Sequence, residues 1–290
     1  MKTLKAVKTL GKLEEMTALD PVVDIVRRAV RKVLRPSTAK DLLHGVPMGH
    51  PAHPFLVQLP TGAFACAVLL DAVPGTERAA RVLIATGLAA VVPAVATGLT
   101  DWSDLHPQQQ RVGLVHAGAN VLATGCFAMS LAARLSAREG GKTWALAGLA
   151  ALGGGGFLGG HLSFRLASGA NHVEAVPHQV PAGWNHLALL EEIPEKEAQR
   201  RTLGLVPLMV WREGATVRVI SDECSHLSGP LHEGTVSGSG LDACVRCPWH
   251  ASEFSLATGE VLRGPATSPA ALFQVRVSDG RVEVCLPGAG

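Results

Sequence analysis

The chain has 290 residues, of which 47% are hydrophobic and only 17% charged, with 32 glycines, no tyrosine and a formal net charge of +2. So small a net charge gives no footing for nucleic acid as a partner, and the six cysteines form no secreted disulfide framework. The length fits one large or two modest domains, and the apolar balance is high for a water-soluble protein.

Residues 1–43 are basic and amphipathic. Lys2, Lys5, Lys8, Lys12, Arg27, Arg28, Arg31, Lys32, Arg35 and Lys40 interleave with Leu4, Val7, Leu10, Leu13, Val22, Val23, Val26, Val30 and Val33, a spacing of three and four that predicts helices with one apolar face. Asp20-Pro21 suits the start of the second, because proline is tolerated at the first helical position. No apolar core follows the first lysines, so a cleavable signal peptide is not expected. Two readings stay open: a solvated helical hairpin, or a helix lying on an anionic membrane face.

Residues 44–165 are expected to be a four-span transmembrane helical domain. His44 to Pro54 hold three histidines, three prolines and two glycines, which predicts a tight loop rather than a continued helix. Four apolar segments follow, at about 55–73, 79–100, 112–135 and 143–165, each approaching the roughly 20 residues needed to cross a bilayer. The short connections hold Glu77 and Arg78, then Asp101, Asp104 and Arg111, then Arg138, Glu139 and Lys142. Trp102 and Trp144 fall at segment ends, where interfacial aromatics belong. Gly155-x-x-x-Gly159 and Gly156-x-x-x-Gly160 allow close contact between membrane helices; a buried soluble bundle is the alternative. An even number of spans returns the chain to its starting side. The Lys/Arg-rich N-terminal segment predicts both ends in the cytoplasm.

His50-Pro51-Ala52-His53-Pro54-Phe55-Leu56-Val57-Gln58-Leu59-Pro60, Gly98-Leu99-Thr100-Asp101-Trp102, and His116 with Asn120 resemble small bacterial four-span membrane proteins of the DUF2231 type. The resemblance implies a membrane location and little chemistry. Gln58 departs from the histidine common at that position in the family. Seven histidines lie in and around this half: His44, His50, His53, His106, His116, His161 and His172. Inward histidines of a bundle can ligate haem b, with His161 and His116 or His53 as candidates; pairing with carboxylates or carbonyls, or a quinone pocket, are the alternatives.

Residues 166–183 are expected to be a linker stiffened by Pro177 and Pro181. Beyond it Trp211, Val217, Val219, Ile220, Phe273, Val275, Val277, Val282 and Val284 show the alternation of half-buried strands. Turns at Glu213-Gly214 and Asp279-Gly280 separate them, the second a strong hairpin signal.

Within residues 184–290 two short blocks stand out, Cys224-Ser225-His226-Leu227 and Cys247-Pro248-Trp249-His250. Each offers one thiolate and one imidazole, which suits iron–sulfur chemistry or zinc. A structural Cys2His2 zinc site normally takes two cysteines from one arm and two histidines from the other, whereas here each arm is mixed. One iron can then take both cysteines and the other both histidines. Cys224 through Gly234 and Cys247 through Phe254 resemble the two cluster-binding loops of Rieske [2Fe–2S] domains, and Thr258 through Ala266 resembles the loop that closes over the cluster. The resemblance covers about 184–287 and implies a small antiparallel β domain, with Cys224, His226, Cys247 and His250 as cofactor and metal ligands.

Gly229 and Trp249 stand where some Rieske families carry a loop-bracing disulfide, which places this site with the ferredoxin-like class. Ser252 is a candidate hydrogen-bond donor to cluster sulfur, and His232 is expected to be a surface loop residue. Cys66 and Cys126 sit in apolar runs as small hydrophobes, and Cys244 fills a strand.

The expected architecture is thus multidomain, an all-α four-helix transmembrane bundle followed by a small all-β Rieske domain. Only forty residues follow His250, so an oxygenase catalytic subunit with its mononuclear iron is not expected. The function that follows is a multi-pass cell-membrane electron-transfer protein, its Rieske domain cytoplasmic. Its partners would be the lipid bilayer and a redox partner protein or quinol. A redox-sensing or binding module, or a gated transporter, are the alternatives.

Overall fold

The structure, a computed structural model, describes residues 5–288, with side chains from residue 10 onward. Lys2 and Leu4, and the side chains of Lys5, Val7 and Lys8, lie outside the described residues. The chain forms two compact units, one from residues 1–43 and 51–168 and one from 44–50 and 169–290.

The first unit is helical: α1 (Lys5–Glu14), α2 (Asp20–Val33), α3 (Thr38–His44), α4 (His53–Leu56), α5 (Gln58–Leu70), α6 (Glu77–Trp102), α7 (Pro107–Leu135) and α8 (Gly141–Gly160), which ends in one π turn, His161–Arg165. Four stretches are long and apolar enough to cross a membrane: His53–Leu70, Glu77–Trp102, Pro107–Leu135 and Gly141–Arg165. Outward-facing Leu59, Leu69, Val92, Val121, Leu122, Leu146 and Phe157 are exposed, a surface suited to hydrocarbon rather than water. Inside, Phe64 and Phe127 stack with centroids 3.9 Å apart, among Ala67, Ala80, Ile84 and Ala145. A Cβ at Gly87 would lie 2.5 Å from Phe64, and one at Gly148 2.9 Å from Phe127, so both rings lie flat on a neighbouring backbone.

Charged side chains at both ends of this unit are paired, as their burial demands. Arg134 grips Asp71 through Nη1–Oδ1 at 2.8 Å and Nη2–Oδ2 at 2.5 Å, both side chains 9% exposed. At the other end the buried Asp104 accepts from Arg31 at 3.1 Å and Lys40 at 2.6 Å. Arg111 holds Asp20, the acidic first residue of α2, at 2.6 and 2.8 Å. The segment carrying α2 and α3 is therefore fastened to the α6–α7 turn, with Val22, Ile25, Val33 and Leu42 left exposed. Trp102, expected as an interfacial aromatic, is instead buried. Its indole N–H donates to Gln110 O at 2.9 Å, and its ring lies 2.4 Å from where a Gly113 Cβ would be. It closes the α6–α7 turn because a buried indole needs an acceptor. Of the small-residue pairs in α8, Gly155 and Gly159 pack against Asn120 and His116, whereas a Cβ at Gly156 would meet nothing.

The second unit is β-rich: β1 (Asn185–Leu189), β2 (Gln199–Leu203), β3 (Val206–Glu213), β4 (Thr216–Ser221), β5 (Thr235–Ser237), β6 (Cys244–Arg246), β7 (Glu253–Ser255), β8 (Val261–Arg263), β9 (Leu272–Ser278) and β10 (Arg281–Cys285). A six-stranded sheet runs β1-β10-β9-β4-β3-β2 and a four-stranded one β5-β6-β7-β8, with every neighbouring pair antiparallel. The β9–β10 turn puts Asp279 at φ 50° and Gly280 at φ 73°, the left-handed pair that a two-residue hairpin requires.

Strand β3 differs from the half-buried expectation. Leu208 and Val210 enter one core, while Met209 and Trp211 enter a second core shared with Cys224, Leu231, Val245, Cys247 and Phe254. Successive side chains point to opposite faces, and the small sheet covers the face that would otherwise meet water. The expected linker 166–183 does not run free either. Val173, Val176 and Val180 are buried in the first core, around a short helix α9 (Val176–Gln179).

Candidate metal centre

Two loops leave the β unit with matched backbones. After β4, Cys224 N donates to Gly229 O at 2.9 Å and Ser228 N to Cys224 O at 2.8 Å. Between β6 and β7, Cys247 N donates to Ser252 O at 2.8 Å and Ala251 N to Cys247 O at 3.1 Å. The fourth residue after each cysteine, Ser228 (φ 59°) and Ala251 (φ 64°), takes the left-handed conformation. That is uncommon for residues with a Cβ. Each loop thus turns its cysteine inward and returns its histidine beside it.

The four predicted ligands are brought together. Cys224 and Cys247 are 1% and 3% exposed, and their sulfurs are within hydrogen-bonding reach of one another. The His226 and His250 rings sit 5.1 Å apart and nearly perpendicular, both partly exposed, with His226 Nδ1 wholly buried. The thiols lie inside and the imidazoles at the rim.

The electrostatics of the thiol pair are lopsided. Donation to Cys247, and then burial, push the Cys224 thiol well up. Accepting that bond holds Cys247 down to about 6 against its own burial, helped by the backbone N–H groups of Trp249 and His250. One negative charge is welcome here and a second is costly, unless a cation binds and displaces the remaining proton.

Other residues fasten the loops. Ser252, fully buried, bonds the Cys224 sulfur while its Oγ accepts Ala266 N–H at 2.9 Å. Ser225 Oγ donates to Ser268 O at 2.5 Å, so the segment after β8 ties to both ligand loops. A Cβ at Gly229 would fall 2.8 Å from Cys247 Sγ and 3.2 Å from the Trp249 ring, so a glycine–indole contact occupies the position of the disulfide brace. His232, expected as a surface residue, is pinned. Its backbone N–H and Nδ1 both bond the buried Asp222 carboxylate, at 2.8 and 2.7 Å, and Asp222 O takes Leu231 N–H at 2.7 Å. This clasp closes the neck of the first loop, and no sequence signal announces it.

The residues fit a binuclear iron–sulfur group. Two buried thiols with N–H and O–H donors suit one iron, and two rim imidazoles suit the other. Among the described residues no three His, Cys, Asp or Glu converge as ligands of a lone metal ion; a group taking two ligands per iron does not ask for that.

The haem reading of the membrane histidines gains nothing. His161 Nε2 is held by Glu14 at 2.8 Å. His116 is held at Nδ1 by Gly155 O at 2.8 Å, and Asn120 Nδ2 lies 3.2 Å from its Nε2. Each ring is thus committed at one nitrogen, as is His53, the third candidate, whose Nδ1 is held by Ala94 O at 2.8 Å.

Comparison with known proteins finds two matching family models. A family model described as a Rieske [2Fe-2S] domain matches residues 183–277, and one described as a predicted membrane protein (DUF2231) matches residues 49–172. The anthranilate 1,2-dioxygenase ferredoxin subunit of Burkholderia cepacia is 36% identical over 103 residues, 36% of this chain and 92% of that protein. The 3-phenylpropionate/cinnamic acid dioxygenase ferredoxin subunit of Escherichia coli (strain K12) is 37% identical over 98 residues, 34% of this chain and 89% of that protein. Among solved structures, the ferredoxin of carbazole 1,9a-dioxygenase from Nocardioides aromaticivorans IC177 aligns with a TM-score of 0.34 at 25% identity, over 36% of this chain and 98% of that one. Through its C-terminal region, the chain belongs to the Rieske [2Fe–2S] domain family.

Proposed function

We propose that this chain is a membrane-anchored one-electron carrier. It takes electrons from a lipid-phase reductant, a quinol, and passes them to a protein acceptor on the cytoplasmic side. The observation that carries this reading is the site's polarity: two buried thiols backed by hydrogen-bond donors, and two imidazoles at the rim. Cys224 and Cys247 would hold one iron, and His226 and His250 the other. The bound group accepts and releases one electron at a time.

The chain's own residues set the terms of that exchange. N–H groups of His226, Trp249 and His250 and the Ser252 hydroxyl point at the two sulfurs, and hydrogen bonds to sulfur favour the more negative, reduced state. Ser252→Ala should therefore lower the reduction potential. One such bond, differing by about 1 kcal/mol between redox states, corresponds to on the order of 40 mV for one electron. A redox titration in which Ser252→Ala leaves the potential unmoved would assign that hydroxyl no electronic role. The partly exposed His226 and His250 rings give an acceptor the shortest path to the centre. A protein acceptor is supported by the relatives, which are ferredoxin subunits of dioxygenases.

Anchoring is supported by the four membrane-capable helices. Sidedness is supported by Arg27, Arg28, Arg31, Lys32, Arg35, Lys40 and Arg111 near the α6–α7 end, against Arg78, Arg81, Arg134, Arg138 and Lys142 at the other. Full-length protein in liposomes, mixed with duroquinol, should take up one electron per chain and bleach its visible absorption. A C-terminal alkaline phosphatase fusion should be inactive. Protein that dithionite reduces but duroquinol does not, or an active fusion, contradicts the respective half of the proposal.

A further inference from the structure

We propose that His53 is the hydrogen-bond acceptor of a quinol-binding site inside the helical bundle; this rests on the reading of the chain as quinol-reduced. His53 Nδ1 lies 2.8 Å from Ala94 O. A carbonyl only accepts, so Nδ1 carries the hydrogen and Nε2 presents a bare lone pair. Among the described residues no hydrogen-bond partner meets that Nε2.

The imidazole next to it is held. His116 donates from Nδ1 to Gly155 O at 2.8 Å, and the Asn120 amide, which donates to His116 O at 2.9 Å, lies over its ring, 3.5 Å from Nδ1 and 3.2 Å from Nε2. The two rings stand 6.4 Å apart at 81°, so His116 and Asn120 form a fixed wall beside an open acceptor. The floor is Gly98, where a Cβ would come within 2.7 Å of the His53 ring.

Depth and access select the ligand. Gly98 lies four residues before the end of α6 and His116 nine residues into α7, about 6 Å and about 14 Å from those helix ends at 1.5 Å per residue. In a hydrocarbon layer about 30 Å thick, centred on helices of 26 and 29 residues, that places Gly98 at the hydrocarbon edge and His116 several ångströms inside it, on the side of the α6–α7 turn. Both rings are partly exposed on the bundle, so the approach is from lipid. A neutral acceptor there is costly to leave unmatched, and an ion would find too few ligands. A lipid-soluble aromatic diol supplies the O–H donor and a flat ring to lie beside the imidazoles.

The balance is that of quinol oxidation. Two electrons and two protons leave and a quinone remains. His53 Nε2 would take the two protons in turn, releasing the first to water at the bundle end before the second arrives. The group held by Cys224, His226, Cys247 and His250 would take the two electrons one at a time, the acceptor protein re-oxidising it between them.

The experiment uses full-length protein, reduced beforehand, in liposomes and a photoreactive diazirine-bearing quinol with a short isoprenoid tail. Crosslinks should fall on the peptides containing residues 53 and 98. His53→Gln should weaken binding of this photoreactive quinol about tenfold, the worth of one hydrogen bond in a dry site. Gly98→Ala, which displaces the ring without changing its chemistry, should weaken binding in the same direction, guarding against a variant that misfolds. Duroquinol should reduce both variants more slowly, while dithionite reduces them as it does the parent. Parent reduced by duroquinol with both variants unchanged in binding and rate overturns the site and leaves the carrier reading standing. The photoreactive quinol bound at His53 without duroquinol reduction of the parent upholds the site and overturns the quinol donor.

Discussion

Cys247→Ser in the full-length protein should yield a correctly inserted chain almost devoid of iron and acid-labile sulfide, and Cys224→Ser should do the same. The two sulfurs lie in one buried contact, and a serine hydroxyl there neither deprotonates nor binds iron as a thiolate does. We expect iron content to fall about tenfold or more, since changes even to the residues that merely orient metal ligands cost 10–100-fold. His226→Ala and His250→Ala should also lose iron, whereas Cys126→Ser, remote in α7 and packed as a small hydrophobe, should keep it. His226→Cys is the informative variant. It supplies a thiolate at the rim, so any group retained should have a lower potential and an all-cysteine spectrum. Iron retained in full by Cys247→Ser would remove Cys247 from the ligand set.

The second large effect belongs to the bundle. Asp71→Ala should destabilise the helical unit by about 3–5 kcal/mol, because it strands the Arg134 guanidinium in a buried place. Arg134→Leu should cost a similar amount by stranding the carboxylate. The double variant Asp71→Leu with Arg134→Met should recover most of the loss, since replacing a buried pair by apolar side chains of similar volume is often neutral or better. Lys142 donates to the Asp71 backbone carbonyl at 2.6 Å, and this contact survives all three changes. Thermal unfolding in detergent, followed by helical circular dichroism, measures each variant. Singles as stable as the parent would mean that the pair carries no net stabilisation. A double no better than the singles would mean that Asp71 and Arg134 act through other neighbours.

Much of the molecule was legible in its sequence because its strongest signals are local. The four apolar stretches with charged connections are four long apolar helices in the structure, and the two mixed blocks, Cys224–His226 and Cys247–His250, do come together. The Asp279-Gly280 turn and the Ser252 hydroxyl could be read the same way, from residue type and neighbours in the chain. What escaped depends on contacts between distant residues. Asp222 becomes the clasp of the first loop only because β4 ends where Leu231 and His232 return to it. Trp102 looked like an interfacial aromatic because nothing local says that Gly113 leaves room for its ring. Val173, Val176 and Val180 read as linker because the core they enter is made by strands that come after them. The basic N-terminal helices could not be placed from their pattern alone. Their position follows from Asp104 and Asp20, whose partners lie 64 to 91 residues away.

The central claim is that Cys224, His226, Cys247 and His250 hold one binuclear iron–sulfur group. Its most direct test is chemical analysis of the purified full-length protein, with an electron paramagnetic resonance spectrum after reduction by dithionite. The expected result is two irons and two acid-labile sulfides per chain, with the low average g value of a cluster ligated partly by histidine. Stoichiometric zinc without acid-labile sulfide, or the spectrum of an all-cysteine cluster, would contradict it.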